Sequence, residues 1–102
     1  MTATRQSGDF VPGTIFMFAD GHCASSDFCN AILQQVREIF PALEPRALYT
    51  LEQLCGPAFW DPLGPADRQE AGRIMIRLVL GGWLQFEVIG CRHSNPKKYQ
   101  LK

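Results

Sequence analysis

No stretch of this 102-residue chain is apolar for long enough to cross a bilayer. The longest apolar runs, IFMFA and IMIRLVL, are far shorter than the roughly 20 residues that a membrane-spanning helix needs. The N-terminal segment MTATRQSGD lacks the apolar core of a secretory signal. We therefore expect a cytoplasmic protein that makes no membrane contact.

The sequence also lacks the short motifs that mark common enzymes and cofactor sites. It has neither a Gly-rich phosphate loop nor a paired-carboxylate motif. The segment DGHC brings together Asp20, His22 and Cys23, which are residue types of thiol catalysis. Adjacent His and Cys side chains seldom face each other, so we interpret DGHC as a turn that leads to a helix. We predict no enzymatic activity and no cofactor.

The cysteines indicate neither a disulfide framework nor a metal site. The absence of a signal segment and the presence of an adequate core argue against disulfides. A zinc site is disfavoured because no pair of potential ligands has the gap of about two to four residues that structural zinc sites use. The residues considered are Cys23, Cys29, Cys55, Cys91, His22 and His93. We predict reduced, mostly buried thiols and no bound metal.

The chain as a whole has no net charge, but its two halves carry opposite charges. Residues 1–63 hold three basic and seven acidic side chains, whereas residues 64–102 hold seven basic and three acidic ones. The closing stretch RHSNPKKYQLK contains no acid at all. Such asymmetry indicates one side that faces an anionic partner, or two halves that attract each other across the fold.

The length predicts a single domain over 1–102, with a flexible arm over 1–13. TIFMFA follows as a short strand or an apolar tether. SSDFCNAILQQVREIFPAL predicts a helix with Ser25 or Ser26 as its cap. Its expected buried face comprises Phe28, Ile32, Val36, Ile39 and Leu43, which recur at helical spacing.

Three further elements are predicted after residue 47. Thr50 and Gln53 fit a capping box at the start of a short helix. GPADRQEAGRIMIRLVLGG predicts a longer helix over 65–80, with Gly72 in its interior as a point where another segment packs closely. Its expected buried face is Ala71, Ile74, Met75, Leu78 and Val79. Phe59 and Trp60, which lie between the two helices, are interpreted as core aromatics, with base stacking by Trp60 as the alternative.

The last predicted element is a β-hairpin. Residues 84–90 and 97–101 alternate between apolar and polar side chains, and Asn95-Pro96 is typical of the turn between them. Three helices followed by a C-terminal β-hairpin indicate an α+β fold of the winged helix-turn-helix type, with residues 47–102 as its core.

The C-terminal half resembles a family of small, uncharacterised bacterial proteins. The shared pattern is Phe-Trp, a turn, Arg…Gly-Arg on a helix, an apolar hairpin and Asn…Tyr near the end. The residues that carry it are Phe59, Trp60, Arg68, Gly72, Arg73, Asn95 and Tyr99. The resemblance implies a bacterial origin and a winged-helix-like domain, and it implies no particular activity.

The charge pattern and the expected fold together favour a regulator that binds duplex DNA. Gln69, Arg73 and Arg77 have the planar side chains that contact base edges from an exposed helix. Arg92, Lys97 and Lys98 at the hairpin tip have the positive charge that phosphates require. The alternative is an interaction module for a protein partner or a homodimer, because the whole protein is neutral and a DNA-binding domain is usually basic.

Overall fold

The computed structural model describes residues 10–90 and 97–102, which form a mixed α+β fold. Within these ranges lie four α-helices and two antiparallel β-hairpins. In chain order the elements are β1 Ile15–Met17, β2 Cys23–Ser25, α1 Ser26–Ile39, α2 Leu51–Cys55, α3 Pro57–Trp60, α4 Pro65–Leu80, β3 Phe86–Ile89 and β4 Lys98–Leu101, with a 3-10 helix at Phe40–Ala42. In the part of the chain described, every helix is too short or too polar to span a bilayer.

Helix α1 begins where the capping signal predicts. The side chain of Ser25 accepts a hydrogen bond from the Phe28 backbone N–H at 3.3 Å, which satisfies one of the free donors of the first turn. The buried face lies slightly to one side of the predicted one. Ile32 and Val36 are buried as expected, but Cys29 and Leu33 replace Phe28 and Ile39, which are only half-buried.

Helix α2 lies where the sequence predicts a short helix, and α3 follows it in a segment where no helix is predicted. The capping box is confirmed, because Thr50 and Gln53 each bond the other's backbone N–H. The prediction of three helices is wrong, since α3 is an additional one. Gly56 ends α2 at a φ of 81°, and Pro57 then starts α3 in the first helical position, where its missing N–H costs nothing.

Helix α4 is confirmed over residues 65–80, and all five residues of its predicted inner face are buried. This agreement follows from the regular spacing of apolar residues at about 100° per residue. The helix ends at Gly81 and Gly82, and Gly82 has a φ of 88°, a conformation that glycine adopts without steric cost.

The C-terminal hairpin is also confirmed. Strands β3 and β4 pair antiparallel, from Phe86 opposite Leu101 to Ile89 opposite Lys98. Tyr49 forms an isolated bridge with Tyr99 on the other edge of β4, so a single residue before α2 extends this sheet. Burial of Tyr99 raises the pKa of its hydroxyl to about 12.

The N-terminal part is more ordered than the sequence indicates. The predicted segment at 14–19 forms β1, but it pairs with β2, a strand that no sequence pattern predicts. Residues 1–9 of the arm predicted over 1–13 lie outside the described residues, but Phe10 belongs to the core. This residue is buried, and its backbone N–H and C=O both bond the Asn30 side chain, at 2.9 and 2.8 Å.

One hydrophobic cluster joins these elements. It includes buried residues of α1 and of α4, together with Phe86 and Tyr99 of the second hairpin. Phe10, Phe16 and Phe18 pack with Trp83 at its N-terminal side, with ring centres 4.7 to 6.2 Å apart. The inner face of α4 is therefore covered, and its opposite face is left for other contacts.

Candidate nucleic-acid interface

The exposed face of α4 borders an open cleft of about 620 Å³. The other walls are the beginning of α2, Trp60 at the end of α3, and the beginning of β4. The lining residues are Thr50, Leu51, Glu52, Trp60, Arg68, Gln69, Gly72, Arg73, Ile76, Arg77, Lys97 and Tyr99. Four elements of the fold therefore contribute to one surface.

Four of the six residues predicted to bind nucleic acid line this cleft. Gln69, Arg73 and Arg77 come from α4, and Lys97 comes from the residue before β4. Lys98 is not among the lining residues, and it pairs with Ile89 in the sheet. Arg92 lies outside the described residues, as do Asn95 and Pro96 of the predicted turn.

The cleft carries an excess of positive charge. Arg68, Arg73, Arg77 and Lys97 line it, against one carboxylate, that of Glu52. Sequence reasoning did not assign Arg68 to the site, although it lies one turn before Gly72 on the same side of α4. The four-residue spacing from Arg68 to Gly72 and Ile76, which also line the cleft, was the signal that could have identified it.

Trp60 is half-buried, so the prediction that it belongs to the buried core is only partly correct. One side packs against the core, and the residue also lines the cleft. The Arg68 guanidinium carbon lies 5.4 Å from the centre of the Trp60 ring, a distance at which the cation is attracted by the ring face. Trp60 thereby helps to hold a positive charge at the cleft.

Because Gly72 has no side chain, the backbone in the middle of α4 is not covered at this position. A Cβ atom placed there would meet no described atom within 4 Å, so the predicted close packing of another segment against this glycine is absent among the described residues. Gly costs about 1 kcal/mol relative to Ala in a helix interior. The backbone of α4 is therefore directly accessible from the cleft at this position.

Arg77 differs most from expectation. The sequence places it on an exposed face, but its side chain is 22% exposed and forms an ion pair with Asp20 at 2.7 Å. Its Nη1 donates to the Arg73 backbone carbonyl at 2.7 Å. The hydrogen bonds from Arg77 hold the pKa of the Asp20 carboxyl below its usual value, with a further contribution from the His22 N–H.

Arg73 is more accessible than Arg77. Its side chain is 52% exposed, and its Nη1 lies 3.4 Å from Glu70 Oε1. The other carboxylate oxygen of Glu70 lies 3.0 Å from His22 Nε2. Glu70 itself is not a lining residue, so this carboxylate approaches Arg73 from the side of the helix that faces the first hairpin.

The cysteines do not form part of this surface. Burial raises the pKa of the Cys29 thiol to about 11, with a smaller effect from the Glu70 charge, and burial raises that of Cys55 to about 12. Cys23 is exposed and the other two are buried, which agrees with the expectation of mostly buried thiols, and all three described cysteines are free. Within residues 10–90 and 97–102, no three His, Cys, Asp or Glu side chains are grouped as metal ligands; Cys91 and His93 lie outside these ranges.

The resemblance to small bacterial proteins stays a prediction. No protein-family model, no curated protein and no solved structure matches this chain.

Proposed function

We propose that this protein is a winged-helix-like regulator that binds duplex DNA through the cleft between α4 and the start of β4. The observation that carries the proposal is the meeting of Gln69, Arg73, Arg77 and Lys97 on one open surface. Three of these side chains are cationic, and they come from two segments separated by the whole of β3.

The order of the elements supports a winged-helix arrangement. In that fold a strand precedes the helix-turn-helix and pairs with the last strand of the hairpin, and the second helix of the unit contacts DNA. The bridge between Tyr49 and Tyr99 corresponds to that pairing, with N···O distances of 2.9 and 2.7 Å. On this assignment α2 and α3 form the first helix of the unit and α4 forms the second.

The proposed roles follow from side-chain chemistry. Lys97 and Arg68 neutralise phosphates, which requires only positive charge within reach. Gln69 and Arg73 are exposed and point from α4 towards the cleft, where amide and guanidinium groups make paired hydrogen bonds with base edges. The bare backbone at Gly72 lets a sugar-phosphate chain approach α4 between them.

A pair of adjacent lysines tests the proposal. Lys97→Ala should weaken binding to all duplex sequences and flatten the slope of log K against log salt by about 0.9, because one phosphate contact is lost. Lys98→Ala changes the net charge equally but removes a side chain outside the cleft, so its slope should match the native protein. Fluorescence anisotropy of labelled duplexes at several salt concentrations measures both. Equal effects of the two substitutions would contradict binding at the cleft.

Arg73→Ala should act differently. If Arg73 contacts a guanine, its loss should reduce discrimination between sequences by about 1–3 kcal/mol while the preference for low salt persists. The measurement compares a selected high-affinity duplex with a scrambled one of the same length.

A second candidate function is binding of a protein partner or formation of a homodimer. It is favoured by the large apolar side chains that the described surface leaves exposed. Ile15 and Met17 on β1 are 69% and 64% exposed, and Leu80 at the end of α4 is 75% exposed. Sedimentation velocity of the native protein and of an Ile15→Ser/Met17→Ser variant tests it. A concentration-dependent dimer that the substitutions abolish would favour this function.

A further inference from the structure

The turn of the first hairpin lies against α4. It is a tight turn, in which the Phe18 N–H donates to the His22 carbonyl at 2.8 Å and the Gly21 N–H donates to the Phe18 carbonyl at 2.9 Å. The Phe18 side chain is buried among Phe10, Phe16 and Trp83. The base of the turn is therefore fixed to the core, and its tip is held at a defined position.

The tip delivers a carboxylate to Arg77. Asp20 Oδ2 accepts from Nη2 at 2.7 Å and from Nε at 3.1 Å, and Oδ1 lies 3.2 Å from Nε. This is the two-point geometry by which guanidinium groups also bind phosphate. Because Nη1 also donates to the Arg73 carbonyl, all three nitrogens of the Arg77 guanidinium group are engaged in hydrogen bonds.

Asp20 is not one of the lining residues of the cleft, although Arg77 is. The carboxylate therefore neutralises Arg77, a cation of the proposed interface, from a position outside the cleft. The same turn reaches a second cation indirectly. His22 bonds Glu70 at 3.0 Å, and the other oxygen of Glu70 lies 3.4 Å from Arg73.

We infer that the turn at residues 18–22 is an autoinhibitory element, in which the Asp20 carboxylate competes with a DNA phosphate for Arg77. This inference rests on the proposed function. An anion held in place by its own chain is present at a high effective concentration, so a phosphate must displace it to gain the contact. In the native protein Arg77 consequently makes no phosphate contact, and only the other cations of the cleft bind DNA.

Asp20→Asn tests the competition. Asparagine removes the charge but keeps an oxygen that can accept the hydrogen bond from the His22 N–H, which is 3.2 Å long. We expect tighter binding to duplex DNA and a salt slope steeper by about 0.9, because Arg77 gains a phosphate. Between 50 and 200 mM salt, this variant should lose about three- to fourfold more affinity than the native protein does. Circular dichroism establishes that it is folded.

Two controls separate release of Arg77 from a general change in charge. Glu38→Gln removes one acid from α1, outside the cleft, and should leave the salt slope unchanged. Arg77→Gln should abolish the gain when combined with Asp20→Asn. Arg77→Gln alone is the reference for the double variant, because the two proteins differ only at residue 20.

The possible outcomes are distinct. A gain in Asp20→Asn that disappears in the double variant supports the inference. If Asp20→Asn matches Glu38→Gln, or if its gain survives loss of Arg77, the inference is wrong while DNA binding stands. If neither the native protein nor any variant binds duplex DNA at low salt, the proposed function fails and the inference fails with it.

Discussion

Asp20 and Arg77, which are 57 residues apart in sequence, form a two-point ion pair that joins the turn of the first hairpin to α4. Arg77 holds the pKa of Asp20 below the usual 3.8. A carboxyl with a lowered pKa stabilises the fold above its unfolded pKa, and this contribution is lost as the pH falls through the folded pKa.

The Asp20–Arg77 pair should therefore make the free energy of unfolding decrease as the pH is lowered. At pH 7 the contribution of Asp20 is fully present, and below about pH 4 it declines. We expect Asp20→Asn to lower the melting temperature at pH 7 and to have a smaller effect at pH 2.5. Thermal unfolding followed by circular dichroism at both pH values measures the difference. An equal effect at the two values would show that the carboxylate charge does not hold the turn.

Substitution by alanine should change the free energy of unfolding in opposite directions at two glycines, Gly81 and Gly72. A Cβ at Gly81 would overlap the Trp83 ring, with Trp83 Cε3 at 2.7 Å, so we expect Gly81→Ala to destabilise the protein by about 1–3 kcal/mol. Gly72→Ala meets no described atom within 4 Å and should stabilise the protein by up to about 1 kcal/mol. Urea denaturation measures both free energies of unfolding, and a destabilised Gly72→Ala variant would contradict the open cleft.

Phe10 should contribute to stability although it lies near the N-terminus. Phe10 is 5% exposed, and its ring centre lies 4.7 Å from that of Phe16 and 5.2 Å from that of Trp83. Phe10→Ala should therefore cost about 3–5 kcal/mol. The neighbouring Val11 is 67% exposed, and Val11→Ala should be close to neutral. Equal melting temperatures for the two variants would show that Phe10 is not part of the core in solution.

The thiols should differ in reactivity. In a Cys91→Ser background, Cys23 is exposed and should react with a thiol reagent such as dithionitrobenzoate in the folded protein. Cys29 and Cys55 are buried and have pKa values raised to about 11 and about 12, so they should react only after unfolding. The expected stoichiometry is therefore about one thiol folded and about three unfolded. Rapid reaction of all three thiols in native buffer would show that Cys29 and Cys55 are not buried in the folded protein.

Local periodicity was sufficient to predict the elements that depend on it. The inner face of α4 follows from the spacing of Ala71, Ile74 and Leu78, and the capping box follows from Thr50 and Gln53. The C-terminal hairpin follows from alternation and a turn signal, and three of the cleft residues on α4, Gln69, Arg73 and Arg77, follow from the opposite face of the same helix.

The remaining features depend on contacts between distant segments. Strand β2 has three residues, which is too short for alternation to be recognised, and it forms because β1 pairs with it. Phe10 is fixed by Asn30, twenty residues away, and Arg77 by Asp20. No local sequence pattern indicates such pairs. Phe10 was therefore predicted to lie in a flexible arm, and no partner was predicted for Arg77.

Mapping of amide chemical shifts during titration with duplex DNA at low salt tests the central claim most directly, because it locates the contact as well as detecting it. We expect the largest changes at residues 68–77, 50–52 and 97–99, with little change at residues 30–38 of α1. Shifts confined to β1, around Ile15 and Met17, or no shifts at a several-fold excess of DNA, would contradict nucleic-acid binding at this cleft.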